Sequence, residues 1–284
     1  MGLRRLGVLG WPVAHSRSPR MHNAALAQLG LKDWHYQRLP VPPEVFEETV
    51  RSLPASGFVG ANVTIPHKEA ALALAGEASP DARAIGAANT LTFGPGKGEI
   101  RADNTDAPAL LDALGEPAPR SALVLGAGGS ARAVAYALRS AGAAVAVWNR
   151  NPERARAVAV ELGVAAVVEP VRAEVLVNCT SVGLHDPAQT FKELPLNADD
   201  IGEYACVVDL VYRDGATELL RQAERRGCRC VDGLEILVRQ GARSFEIWTG
   251  RSAPLDVMRR AARGEQPSQL PPPETGRLGG RGGP

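Results

Sequence analysis

Lysine is rare in this chain, which makes the position of each one informative. The 32 basic residues divide into 28 arginines and four lysines, at positions 32, 68, 97 and 192. Lys68 closes the run Asn62-Val-Thr-Ile-Pro-His-Lys68, between a strand-like segment and a helix-like one. A lysine in suitable surroundings can release its proton near neutral pH, and an arginine cannot. Lys68 is therefore a candidate for proton transfer, although a solvated lysine satisfies this argument as well. Asp103-Asn-Thr-Asp106 forms a second polar cluster. His15-Ser-Arg-Ser-Pro19 forms a third, with two hydroxyls ahead of a proline suited to a helix start. Simple capping of that helix explains those serines equally well. Singly, none of the three identifies a reaction.

A fourth motif is more specific. Gly126-Ala-Gly-Gly-Ser-Ala131 directly follows the apolar run Ala122-Leu-Val-Leu125 and opens a helical segment. In that context Gly126-x-Gly128-x-x-Ala131 reads as a dinucleotide fingerprint, the alternative being a plain strand–turn–helix connection. Gly126 permits the tight turn, Gly128 lets backbone approach a pyrophosphate, and Ala131 lets helix and strand pack closely. The free N–H groups of the helix start face the phosphates. About 20 residues further on, an NAD site carries an acid that accepts from the ribose 2′-hydroxyl. This chain instead has Trp148-Asn149-Arg150, with Arg154 one turn later. Two guanidiniums and no acid suit a 2′-phosphate, so the expected cofactor is NADP. Solvated surface arginines are the alternative.

These motifs need elements to hold them. From residue 121 onward, buried strands at 122–125, 143–148, 175–178 and 206–210 alternate with helices at 133–141, 153–162 and 217–226. Such alternation implies right-handed crossovers and a doubly wound parallel sheet. The first hundred residues give strands at 6–9, 35–39, 60–63 and 90–93 and helices at 19–29, 43–53 and 68–75, a second α/β unit. Residues 233–262 are helical in composition. The Pro- and Gly-rich tail 264–284 has no apolar period and is expected to be disordered.

Composition bounds the rest. A chain of 284 residues fits two domains at roughly 100–200 residues each. Apolar residues at 45% and charged residues at 22% describe a globular protein with a buried core. A net charge of +1 leaves no cationic excess for nucleic acid. No apolar run reaches the ~18 residues of a membrane-spanning helix. Arg4-Arg5 before an apolar stretch has the outline of a signal peptide, but Gly7, Gly10 and Pro12 favour a strand ending in a turn. Four cysteines, with Cys228-x-Cys230 lacking a second pair, point to reduced thiols in the cytoplasm and to no metal site.

Taken in order, the motifs resemble one family, the shikimate dehydrogenases. The resemblance rests on His15-Ser-Arg-Ser-Pro-Arg-Met-His-Asn23, Gly60-Ala-Asn-Val-Thr-Ile-Pro-His-Lys-Glu69, Gly86-Ala-Ala-Asn-Thr90 and Asp103-Asn-Thr-Asp106. It continues through the glycine turn, Asn149-Arg150, Asn178-Cys-Thr-Ser181, Asp209-Leu-Val-Tyr212 and Gly233-Leu-Glu-Ile-Leu-Val-Arg-Gln240, up to Trp248-Thr-Gly250. It spans about residues 4–262. The departures are local: Ala102 before the Asp-Asn-Thr-Asp run, Pro108-Ala109 after it, and Arg213-Asp214 after Tyr212.

The resemblance implies NADP-linked, reversible reduction of 3-dehydroshikimate to shikimate, on the way to chorismate and the aromatic amino acids. It places Ser16, Ser18 and Tyr212 at the substrate carboxylate and Thr64, Asn89, Asp106 and Gln240 at the ring hydroxyls. Lys68 falls beside the reacting oxygen, with Asp106 supporting its charge as the catalytic pair. The implied nucleotide set is Gly126, Ala127, Gly128, Gly129, Ser130, Ala131, Asn149, Arg150, Arg154, Thr180, Leu210 and Gly233. The expected architecture has two α/β domains with the substrate cleft between them. Residues 1–106, completed by helices in 234–263, form the substrate domain, and 107–233 form the Rossmann-like nucleotide domain. A homodimer is an allowed assembly. Two other readings are a quinate/shikimate dehydrogenase using NAD, and a non-catalytic regulator that binds shikimate.

Overall fold

A computed structural model describes residues 2–265 apart from residues 95 and 97. The first sheet draws on β1 (Arg4–Gly10), β2 (Trp34–Pro40), β3 (Phe58–Val63), β4 (Glu77–Ala78), β5 (Thr90–Phe93) and β6 (Ile100–Asp103). Between them run α1 (Ser18–Gln28), α2 (Phe46–Ser52), α3 (Lys68–Leu74) and α4 (Pro80–Ile85), with α5 (Asp106–Leu114) leaving the sheet. The strand order is β2-β1-β3-β5-β6-β4, and β5 runs antiparallel to both neighbours.

The second sheet is parallel throughout. It alternates β7 (Ser121–Leu125), α6 (Gly129–Ser140), β8 (Ala144–Trp148), α7 (Pro152–Leu162), β9 (Ala165–Val167) and β10 (Val175–Asn178). After α8 (Thr190–Glu193) come β11 (Cys206–Asp209), α9 (Glu218–Arg225) and β12 (Arg229–Val231). The chain closes with α10 (Gly233–Thr249) and α11 (Leu255–Arg263). The order β12-β11-β10-β7-β8-β9 is that of a doubly wound sheet, with its switch point between β7 and β10. Both faces of β10 and β11 are covered, which explains why their sequences, Val-Leu-Val-Asn and Cys-Val-Val-Asp, run apolar without alternation.

Each sheet has a core on either face. Leu9, Phe46, Val50, Phe58 and Leu91 fill one side of the first sheet. Leu6, Val8, Met21, Phe245 and Met258 fill the other, so α10 and α11 return to pack beside α1. In the second sheet Leu110, Val134, Leu138 and Val158 pack on one face, and Leu194, Ile201, Leu219 and Leu220 on the other.

Some boundaries differ from the sequence reading for identifiable reasons. α6 begins at Gly129, four residues before the apolar period starts, because the glycine turn is itself the first helical turn. Residues 43–53 split into a 3-10 turn and α2. Residues 233–262 form two helices, since Gly250 takes a left-handed conformation (φ +64) that ends α10. β6, β9 and β12 are not legible in the sequence because exposed residues break their apolar pattern. Gly264 belongs to the fold and not to the tail: it caps α11 with φ +90, and the Glu265 N–H donates to the Arg260 carbonyl. The expected disorder from residue 266 onward lies outside the described residues.

Candidate active site

The register of the strands gathers the motifs. Leu125, Trp148, Asn178 and Asp209 share one rung across β8, β7, β10 and β11. The residues that follow them, Gly126, Asn149, Cys179 and Leu210, therefore leave the second sheet on one edge. In the first sheet Val63 pairs with Leu9, while Asn62, Thr90 and Asp103 lie on a common rung. The antiparallel β5 starts where β3 and β6 end, which brings Asn89 to the same edge as Thr64 and Asp106.

Two cavities result. All eight expected substrate residues line the first: Ser16, Ser18, Thr64, Lys68, Asn89, Asp106, Tyr212 and Gln240. It encloses about 690 Å³ including its open mouth. Gly126, Ala127, Gly128, Gly129, Ser130, Asn149, Arg150, Arg154 and Thr180 line the second. Ala131 is fully buried beneath the turn, and Leu210 and Gly233 line the first cavity instead of the second. Lys68 and Ser130 line both. That shared boundary is where a transfer between two bound molecules would occur.

Lys68 sits at the start of α3, its side chain only 12% exposed. Its Nζ donates to Asp106 Oδ2 at 2.7 Å and to Ser130 Oγ at 2.8 Å. Asn89 Nδ2 donates to the other oxygen, Asp106 Oδ1, at 2.9 Å, and approaches Gln240 Oε1 at 3.3 Å. Asn89 is oriented in turn by Thr105, whose backbone N–H donates to Asn89 Oδ1 at 2.8 Å. Neither serine of the His15–Pro19 motif caps α1: Arg17 holds the cap position without a side-chain bond. Ser16 Oγ accepts only weakly from the Ser18 N–H, at 3.3 Å. Burial pushes the Tyr212 phenol up, opposed by its hydrogen bond with Ser16.

Several supporting residues were not among the expected site residues: Asn62, Asn178 and Asp209 stand within the motifs, while Tyr36, Ser244 and Thr217 lie outside them. Asn62 Nδ2 donates to Ser244 Oγ at 2.8 Å, and Ser244 donates to the Gln240 carbonyl at 3.0 Å. Tyr36 donates to Asn62 Oδ1 at 2.8 Å, so a buried polar chain runs from the core of the first sheet to the cavity. Ser244 lies one helical turn beyond Gln240 on α10, a spacing that could have flagged it. Asp209 accepts from Asn178 Nδ2 (2.9 Å), the Val211 N–H (3.1 Å) and Thr217 Oγ1 (2.6 Å). Burial pushes its carboxyl up to about 6 against those three bonds. Asn178 Oδ1 then accepts from Thr180, so Asp209 anchors the loop toward each cavity.

The second cavity has the form of a nucleotide cradle. Gly126 adopts φ +115, and a Cβ there would lie 3.3 Å from the Cys179 backbone. A Cβ on Gly128 would project into open space over the start of α6, where no side chain caps the helix. The surface on which phosphates would rest is therefore bare backbone. Arg150 and Arg154 line the far end, and among the described residues no carboxylate is within ion-pair distance of either. These residues fit a dinucleotide carrying a 2′-phosphate. Among the described residues no cluster of three or more His, Cys, Asp or Glu is placed to hold a metal ion. No described helix is long and apolar enough to cross a membrane.

A doubly wound sheet whose glycine turn meets a cavity lined by hydroxyl, amide and carboxylate side chains is the architecture of the two-domain nucleotide-linked dehydrogenases. Three family models match the chain in succession. They are the shikimate dehydrogenase substrate binding domain over residues 8–91, shikimate/quinate 5-dehydrogenase over 111–179, and the shikimate 5'-dehydrogenase C-terminal domain over 233–263. The chain is 47% identical over 264 residues to a shikimate dehydrogenase (NADP(+)) of Thermus thermophilus, covering 91% of this chain and 97% of that one. It is 49% identical over 264 residues to the Methylobacterium radiotolerans enzyme of the same name, covering 87% and 91%. A crystal structure of shikimate 5-dehydrogenase from Thermus thermophilus, in complex with NADP(H) and shikimate, superposes with a TM-score of 0.82. That pair is 45% identical, covering 92% of this chain and 99% of that chain. The chain belongs to the shikimate dehydrogenase family.

Proposed function

We propose that this protein is an NADP-dependent shikimate dehydrogenase, reversibly reducing 3-dehydroshikimate to shikimate on the route to chorismate and aromatic amino acids. The observation that carries the reading is the placement of Lys68. Its ammonium joins Asp106 in the hydroxyl-lined cavity to Ser130 of the glycine turn.

Shikimate is a polyhydroxylated carboxylate, so its site must orient one acid and several hydroxyls. Ser16, Ser18 and Tyr212 receive the carboxylate at one end of the cavity. Thr64, Asn89, Asp106 and Gln240 hold the hydroxyls, and a site built of such groups rejects analogues that leave them unpaired. In the nucleotide cradle the backbone of 126–131 supports the pyrophosphate, Arg150 and Arg154 pair with the 2′-phosphate, and Asn149 and Thr180 complete the walls. When bound, the nicotinamide supplies or accepts the hydride. Lys68 handles the proton: its ammonium donates to the ketone oxygen as that oxygen becomes a hydroxyl. In the oxidative direction the neutral amine takes the hydroxyl proton back. Asp106 holds the ammonium in place through its 2.7 Å contact.

The domain division follows from the same reading, with 1–106 and 234–263 carrying the substrate and 107–233 the nucleotide. The packing of α10 and α11 against α1 supports it. The four unpaired cysteines agree with a reducing cytoplasm. Arginines in place of an acid after β8 favour NADP over NAD, and an intact Lys68–Asp106 pair favours an enzyme over a ligand sensor. A spectrophotometric assay offering shikimate or quinate with NADP or NAD tests the whole reading. Turnover of shikimate with NADP is expected. Preference for NAD or for quinate would move the chain to the dual-specificity class, and binding without turnover would make it a sensor.

A further inference from the structure

A second opening lies just outside the substrate cavity, where the start of α1 faces the turns that follow β10 and β11. His15 and Tyr212 line both spaces, so the opening leads to the end of the cavity that carries Ser16 and Ser18. Its remaining polar lining is strongly cationic: Arg17, Arg20, Arg38 and Arg213, with His185 reaching across from the second sheet. Among the described residues the one acid in the lining, Asp214, is exposed and already paired with Arg17 at 2.6 Å. Among the described residues no carboxylate lies within ion-pair distance of Arg20, Arg38 or Arg213. Arg38 donates twice to the Ser16 carbonyl, at 3.1 and 2.6 Å, which fixes the serine loop and leaves its charge uncompensated. Nη1 of Arg213 is shielded from solvent yet has no hydrogen-bond partner among the described residues. The concentration is local, because the whole chain carries only +1.

We propose that this opening is an anion-capture vestibule, whose guanidiniums draw in and hold the substrate carboxylate before Ser16, Ser18 and Tyr212 receive it. The inference rests on the reading of the substrate as shikimate and its ketone, both small monocarboxylates. A cleft lined by one sign of charge focuses the field of its walls and raises the local concentration of counter-ions, by about tenfold or more. Arg213 lines the opening, and a rotation of its guanidinium would let an entering carboxylate satisfy the unpaired nitrogen. Selection by charge would act before selection by hydroxyl pattern, which the inner cavity performs.

The test is steady-state kinetics at saturating NADP with shikimate varied, across KCl concentrations up to about 1 M, where the screening length shrinks to about 3 Å. Wild-type kcat/KM for shikimate is expected to fall about five- to tenfold over that range with kcat nearly constant. The double variant R20Q/R213Q should start about fivefold lower at low salt, respond weakly to salt, and meet the wild type at the high end. Its kcat and its KM for NADP should stay within about twofold, which a general structural defect would not allow. The single variant R20E, at an exposed position, applies the same test by charge reversal should the double variant fold poorly. A variant whose salt response parallels the wild type, or one that loses kcat with KM unchanged, would overturn the vestibule. A wild-type protein that oxidises no shikimate at any salt concentration would overturn the functional reading instead.

Discussion

At the scale of single residues, two side chains illustrate opposite uses of burial. Lys68 is held by Asp106 and Ser130, and the task proposed for its ammonium is proton transfer. Lys68→Ala is expected to lower kcat by about 10²–10⁴, the usual contribution of general acid–base catalysis, with a smaller change in KM. Lys68→Arg keeps the charge but cannot release a proton near neutral pH. It should therefore restore substrate binding and not turnover, in a protein shown to be folded by circular dichroism. Near-normal kcat in the arginine variant would reassign Lys68 to electrostatic polarisation. Asp209 works through structure: it holds Asn178 and Val211, which anchor the loops toward the two cavities. Its carboxyl is pushed up to about 6 by burial, above the unfolded value of 3.8. Between those values the folded state binds the extra proton, so this group's contribution to stability declines as pH rises through 6. An Asn at 209 does not titrate. The stability lost in Asp209→Asn should thus be larger at pH 5 than at pH 7, by about 1 kcal/mol. Urea unfolding at the two pH values measures the difference, and an unchanged gap would show that Asp209 does not titrate with folding.

At the scale of elements, the decisive contact is between the first turn of α6 and the start of α3. These belong to different sheets, and Gly129 is where they touch: a Cβ there would lie 2.8 Å from Lys68 Cβ and 3.0 Å from its Cδ. Gly129→Ala should push the lysine away from Asp106 and Ser130, with about 1–3 kcal/mol of overpacking to relieve. A fall in kcat of about tenfold or more is expected, because displacements of about 1 Å at a reacting group are that damaging. Gly128→Ala is the matched control, since a Cβ there meets nothing within 4 Å. It should leave stability unchanged and raise KM for NADP, because the new methyl stands where the nucleotide backbone approaches. If the two variants behave alike, the glycines serve the turn and not the contacts beyond it.

At the scale of the whole molecule, the chain crosses from the first sheet to the second and returns. α10 brings Gln240 to the cavity shared with Lys68 and Asp106, Ser244 into the polar chain beneath it, and Phe245 into the core of the first sheet. Phe245 is fully buried among residues from the opening 60 positions, including Leu6, Met21 and Tyr36. Phe245→Ala should reduce stability by about 3–5 kcal/mol, a large share of the total for a marginally stable protein. The expected readout is a lower urea midpoint together with a raised KM for shikimate, as Gln240 loses its support. A loss below about 1 kcal/mol would mean that the returning helix is an appendage and not part of the first core.

Much of this protein is written locally. The strand–turn–helix around Gly126, the missing acid after β8 and the serine and lysine motifs are short-range patterns of residue type. Short-range patterns are what backbone sterics and hydrogen-bonding chemistry act upon. The doubly wound second sheet follows from the same alternation, since parallel strands permit few ways of connecting. What the sequence alone left undetermined is everything that depends on register and return. No local rule places the start of an antiparallel β5 beside the ends of β3 and β6, yet that rung brings Asn89 to Asp106. Nor does any spacing announce that Lys68 touches Ser130, 62 residues away, or that Ser244 closes a chain from Asn62. The strands β6, β9 and β12 escape a sequence reading for the same reason: half-exposed residues blur an apolar pattern that only neighbouring strands complete. Residue chemistry was legible because it is carried by single side chains and short turns. Its assembly into one site was decided by packing, which is a property of surfaces that meet only when the chain has folded.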